Sequence, residues 1–140
     1  MSESADKPNR FEPRGDNPIT APFWEATKEK KLLLQRCTKT GKFQFFPRAA
    51  SIHEFGAEVE WVESPGDGKV YTYSIMHRPG NPFMINKVPY AVALVELSEG
   101  VRMMSNIVGI DVDEIKVGMP VKLTWETLSD GRHLPLFEPA

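Results

Sequence analysis

The sequence predicts a mainly β fold: a short N-terminal helix, a strand–turn–strand knuckle of the zinc-binding kind, and a closing five-stranded barrel. Three observations carry this prediction. Around Cys37 the chain reads Gln35-Arg36-Cys37-Thr38-Lys39-Thr40-Gly41-Lys42, then an aromatic strand and Pro47-Arg48, the outline of a knuckle whose turn ordinarily holds C-x-x-C. From Lys69 onward, runs rich in Val, Tyr, Thr and Ile alternate with turn residues, the pattern of successive strands. Cys37 is the one cysteine among 140 residues, so the outline of a metal site stands without the paired ligands that tetrahedral zinc needs.

The elements follow in order. Residues 1–18 are polar and carry Pro8, Pro13 and Pro18, and they read as a flexible arm that buries too little surface to offset its ordering entropy. Residues 19–63 read as a helix plus the degenerate ribbon. Thr20 to Lys31 is the helix, with Thr20 as N-cap, Pro22 in the first turn and Lys28, Lys30 and Lys31 at the negative end of its dipole. Leu32 to Cys37 is a strand, Thr38 to Gly41 its turn, Lys42 to Phe46 the returning strand, and Val59 to Glu63 a half-buried strand. Residues 64–140 read as the barrel domain. Lys69 to Arg78, Tyr90 to Leu97 and Val101 to Val108 are strands, the last two joined by a tight turn at Glu99-Gly100. Asp111 to Lys116 reads as one or two helical turns with a capping box between Asp111 and Glu114. Val121 to Thr127 and Leu134 to Phe137 complete the set. Three strands, a short helix and two strands is the order of the OB-fold.

Composition narrows the function classes. Seventeen basic and 19 acidic side chains leave a net charge of −2, without the basic excess of a protein that lives on phosphate backbones. A single cysteine excludes an intrachain disulfide framework and fits a reducing compartment. No run approaches the ~18 apolar residues of a membrane-spanning helix, and the N-terminus has no apolar signal core. The expectation is a soluble cytoplasmic protein with no nucleic-acid and no membrane partner.

The chemistry-bearing residues are sparse. His53, His77 and His133 stand apart in sequence, and no Gly-x-Ser-x-Gly elbow, H-E-x-x-H or phosphate loop occurs. Cys37 lies on a strand between Arg36 and Lys39 but lacks an adjacent base to make it a nucleophile. Asp111, Asp113 and Glu114 are explained by helix capping. The segment from His77 to Pro89 gathers His77 and Arg78, then Phe83, Met84 and Ile85, then Lys87. It joins the first two barrel strands, a common binding edge of this fold. Two arrangements suit it: the apolar residues contact a partner, or Phe83 and Ile85 fold back over the barrel end. Tyr71, Tyr73 and Tyr90 are the stacking surfaces that a single-strand nucleic-acid-binding OB module would use.

The ordered set Pro22-Phe23-Trp24-Glu25-Ala26, Leu33-Leu34-Gln35-Arg36-Cys37, Phe46-Pro47-Arg48, Glu60-Trp61-Val62, Gly68-Lys69-Val70-Tyr71-Thr72-Tyr73, Val92-Ala93-Leu94-Val95-Glu96-Leu97, Val117-Gly118-Met119-Pro120-Val121 and Leu134-Pro135 resembles the family long called "domain of unknown function 35". The resemblance runs from about Pro22 to the C-terminus. It implies a rubredoxin-like zinc ribbon followed by an OB-fold. In function it implies a non-catalytic accessory subunit of a thiolase-like partner, an acyltransferase or retro-aldolase acting on acyl-CoA thioesters, in a hetero-oligomer of lipid or steroid metabolism. The alternatives are a free-standing acyl-CoA-binding protein and the single-strand nucleic-acid-binding module.

Under this resemblance, Phe83, Met84 and Ile85 are the residues for partner or acyl contact, and Arg78 and Lys87 those for a CoA phosphate or an acidic patch; no residue is assigned to catalysis. The family's two C-x-x-C pairs fall on Cys37 with Thr40 and on Ser51 with Glu54. Three of the four positions are not cysteine, so no metal and no other cofactor is expected. A makeshift ligand set of Cys37, His53 and Glu54 has lost the pairing that fixes zinc geometry. The expectation is that Phe43, Phe45, Phe46, Ile52 and Phe55 close the subdomain by packing, each contributing ~1.5–3 kcal/mol if fully buried.

Overall fold

A computed structural model describes residues 10–140. Helix α1 (Ala21–Thr27) has Pro22 in its first turn, while the Thr20 side chain makes no cap hydrogen bond. The helix ends before the predicted Lys31 because Lys30 takes a positive φ of 58° and the Lys31 N–H returns to the Ala26 carbonyl. This is a Schellman-type stop that satisfies a terminal carbonyl.

Strands β1 (Leu32–Cys37), β2 (Phe43–Gln44) and β3 (Val59–Ser64) form a three-stranded sheet in the order β2-β1-β3. β1 is central, antiparallel to both neighbours, and Leu32 and Leu34 are buried to 1% exposure or less. β2 is shorter than the predicted Lys42 to Phe46, because Phe45 leaves the sheet to stack edge-on against Phe23 of α1 at 5.9 Å.

Five further strands close a barrel: β4 (Asp67–Met76), β5 (Tyr90–Leu97), β6 (Arg102–Ile107), β7 (Pro120–Thr127) and β8 (His133–Pro139), in the order β4-β5-β6-β8-β7. β5 alternates half-buried and buried residues along its whole length, as a barrel strand does. β7 pairs back onto β4, and the parallel contact of β6 with β8 at Ile107 and Phe137 completes the circuit. This is the OB arrangement. Where one or two helical turns were expected at Asp111 to Lys116, there is a single 3₁₀ turn at Val112–Glu114, and Asp111 makes no side-chain cap bond. Buried Ile115 draws the chain into the core there.

Phe23, Leu32 and Leu34 belong to the same buried cluster as Val70, Val95, Val121 and Phe137 of the barrel. Helix, ribbon and barrel therefore share one core. Of the predicted flexible arm, residues 1–9 lie outside the described residues, and the rest is fastened to the barrel. Arg10 grips Glu126 through two hydrogen bonds of 2.6 and 3.0 Å, Glu12 accepts from the Ser129 N–H and hydroxyl, and the Pro13 carbonyl accepts from Arg132. Polar clasps to β7 and the β7–β8 turn do the ordering that apolar burial does not.

Candidate functional site

The sharpest feature of the surface is an apolar cleft of about 580 Å³ where the helix and ribbon meet the barrel. One wall is aromatic. Phe23 and Trp24 stand edge to face at 5.0 Å, Phe45 packs on Phe23, and Phe46 lies against Phe45 at 6.0 Å. The facing wall is Val92 of β5, Met103 and Met104 of β6 and Leu134 to Leu136 of β8. Its polar members are already occupied with backbone: Ser105 donates to the Pro135 carbonyl and Asn106 to the Ala91 carbonyl, each at 2.8 Å. The cleft therefore presents carbon and sulfur, with Phe46 58% and Met104 69% exposed at its mouth. Arg102 sits at the rim, its guanidinium 3.7 Å over the Tyr71 ring and its Nε donating to Glu96. Volume and lining match those of a small-molecule or side-chain pocket. The helical wall is held by His133, whose Nδ1–H donates to the Thr27 carbonyl at 2.7 Å while its backbone N–H donates to the Thr27 hydroxyl.

The loop singled out in the sequence divides its residues. Met84 is buried, Phe83 stacks edge-on against Phe11 at 4.8 Å, and Ile85 is 57% exposed. Arg78 is exposed. Lys87 lies beside Glu126 and with Arg10 borders a second, smaller cavity of about 320 Å³. Two of the three tyrosines have partners within the chain. Arg102 covers Tyr71, and the Tyr73 hydroxyl is tied to the Ile115 carbonyl.

At the knuckle, Cys37 is 1% exposed, and its sulfur accepts the Thr40 N–H at 3.4 Å. Side-chain hydrogen bonds from Ser51 and then from Thr40 hold the thiol pKa down to about 7. Three of the four family ligand positions thus converge, but as one thiol served by two hydroxyls. The fourth, Glu54, pairs with Lys39 at 3.9 Å, and His53 Nε2–H donates to the Phe43 carbonyl at 2.7 Å. Among the described residues no three His, Cys, Asp or Glu side chains assemble into a metal group, so Cys37, His53 and Glu54 do not form one. This donor set does not fit zinc.

The expected apolar closure holds only at Phe43 and Phe45, which are partly buried against the core. Phe46 and Ile52 are each 58% exposed and Phe55 is fully exposed, because the three lie on loops outside the sheet. Two buried glutamines that the sequence reading passed over occupy the ribbon's interior. Gln35 and Gln44, each 2% exposed, face each other across β1 and β2.

Among the described residues, these features define a class: a ribbon–OB binding module with an apolar cleft and no acid–base constellation. The model for the rubredoxin-like zinc ribbon domain of ChsH2 matches residues 24–50, and that for the C-terminal OB-fold domain of ChsH2 matches residues 61–126. A DUF35 domain-containing scaffold protein of Methanocaldococcus jannaschii is 31% identical over 76% of this chain and 77% of its own. A probable enoyl-CoA hydratase alpha subunit of Thermomonospora curvata is 38% identical over 99% of this chain, which spans 43% of that subunit's length. The solved structure of an Ltp2-ChsH2(DUF35) aldolase superposes with a TM-score of 0.81 at 38% identity, covering 91% of this chain and 98% of the matched one. The chain belongs to the DUF35 family. No helix among the described residues is long and apolar enough to cross a membrane.

Proposed function

We propose that this chain is a non-catalytic accessory subunit of a cytoplasmic thiolase-like complex acting on acyl-CoA thioesters, supporting assembly and substrate access. The observation that carries the reading is the likeness, along nearly the whole matched chain, to the ChsH2(DUF35) component of an aldolase. The cleft supports it, since exposed Phe46 and Met104 beside an apolar hollow are costly to leave in water. Ile85 supplies a second apolar contact, backed by Phe83 and Met84, and Arg78 meets a CoA phosphate or an acidic patch on the partner. Co-expression with a thiolase-like protein encoded beside it, followed by size-exclusion chromatography at micromolar concentration, tests this. A common peak is expected, and separate elution overturns the reading.

The cleft volume favours one second reading, a free-standing acyl-CoA-binding protein. Titration calorimetry of the isolated chain with an acyl-CoA separates the two. Heat of binding without any partner favours the carrier.

A further inference from the structure

We infer that a buried glutamine clamp, Gln35 with Gln44, performs in this ribbon the tie that a metal ion performs in a zinc ribbon, so that the subdomain closes without zinc. The two side chains are direct cross-strand partners, and both are almost wholly withdrawn from water. Their amides are spent on the loop that follows β2. Gln44 Nε2 donates to Gln35 Oε1 at 2.9 Å and to the Ala50 carbonyl at 3.1 Å, and Gln44 Oε1 accepts the Ile52 N–H at 2.9 Å. Gln35 Nε2 donates to the Arg48 carbonyl at 2.8 Å, and Gln35 Oε1 accepts the Arg48 N–H at 2.7 Å.

These bonds join the hairpin that carries Cys37 and Thr40 to the segment that carries Ser51. Those are the same two pieces that paired cysteines would bring to one metal. Two other ways of making the tie are incomplete. The donor set at Cys37, Thr40, Ser51 and Glu54 has one thiol and an engaged carboxylate. Of the apolar residues expected to replace the metal, Phe46, Ile52 and Phe55 are exposed, and Phe45 packs on Phe23 of α1. A buried amide left unpaired is expensive, so a mutually satisfied pair is a strong and direction-specific closure.

The test reads amide exchange in the full chain. Wild-type protein is expected to hold substoichiometric zinc by elemental analysis, and chelator is expected to leave exchange at Arg48 and Ile52 unchanged. Gln44→Leu is expected to accelerate exchange at Ile52 by roughly 10- to 100-fold while β5 and β6 keep their protection. Placing cysteines by Thr40→Cys, Ser51→Cys and Glu54→Cys in the Gln44→Leu background is expected to create a site for one zinc and to restore the slow exchange. Stoichiometric zinc in the wild type, or faster exchange with chelator, overturns the inference. So does unchanged exchange in Gln44→Leu, and so does a four-cysteine variant that takes up no zinc. Should Gln44→Leu fail to fold, Gln35→Leu read at Arg48 makes the same test, and unchanged exchange there overturns the inference.

Discussion

Removing Arg10 should loosen the N-terminal segment from the barrel, and the size of the effect follows from its geometry. The guanidinium meets Glu126 through Nε at 2.6 Å and Nη2 at 3.0 Å, with side-chain exposures of 15% and 23%. A fully exposed pair is worth about 0.2–1 kcal/mol, and a hydrogen bond to a charged group about 1.5–3 kcal/mol. This pair is partly buried, and Lys87 stays near Glu126 when Arg10 is gone. A double-mutant cycle of Arg10→Ala and Glu126→Gln should therefore return a coupling of about 1–2 kcal/mol at neutral pH, measured by urea unfolding. The sign with pH is fixed. Burial pushes the Glu126 carboxyl up, but the Arg10 hydrogen bond and charge, helped by Lys87, outweigh it and hold it below the usual carboxylate range. The pair's contribution is thus present above the carboxyl's unfolded pKa and is lost as pH falls through its folded value. Arg10→Ala and wild type should converge in acid. A coupling below about 0.3 kcal/mol, or a gap between the two that does not change with pH, would refute the reasoning.

Other outcomes are equally specific. Gly68 pairs with both Leu97 and Val121 at the barrel seam, and a Cβ there would lie 2.5 Å from the Glu96 carbonyl oxygen. Gly68→Ala should cost about 1–3 kcal/mol in a denaturant melt, since backbone atoms cannot step aside. Phe137 is wholly buried beside Ile107 on the parallel seam, so Phe137→Ala should cost about 3–5 kcal/mol and broaden unfolding. Met104→Asp at the cleft mouth should leave the melting temperature within about 2 °C of wild type, as a solvent-facing change does, yet weaken assembly with the partner at least about tenfold by analytical ultracentrifugation. Unchanged affinity there removes the cleft from the interface.

The strands were legible because composition between turn signals is a local signal. Tyr90 to Leu97 is a nearly unbroken apolar run that ends at the turn signal Glu99-Gly100, and the structure returns those bounds. The cleft was not legible, since its walls come from α1, the residues after β2, and three barrel strands, and no local pattern marks their meeting. The Arg10–Glu126 clasp spans 116 residues, so a polar segment that looks unable to order itself is ordered by distant charge. The burial of Gln35 and Gln44 was not legible for a related reason. Polar residues on a strand are ordinarily read as its wet face, whereas here each finds its partner on the neighbouring strand and the loop beyond. Within the loop from His77 to Pro89, composition identified apolar residues but not direction; Met84 turns inward and Ile85 outward.

The clamp and the cleft are linked through three consecutive residues. Gln44 ends β2, and Phe45 and Phe46, which follow it, form half of the aromatic wall of the cleft, with Phe23 and Trp24. The clamp fixes where that wall begins, since Gln44 also holds Ala50 and Ile52 on the far side of the loop. Freeing it would let Phe45 and Phe46 move relative to Met103 and Met104, while the barrel core, built on Val95, Val121 and Phe137, stays intact. Gln44→Leu should therefore impair partner assembly nearly as much as Met104→Asp, although Gln44 is buried. A variant with open ribbon exchange and full assembly would show that the aromatic wall is not part of the docking surface. In that case the outward-facing Ile85 and Arg78 would have to carry the interface by themselves.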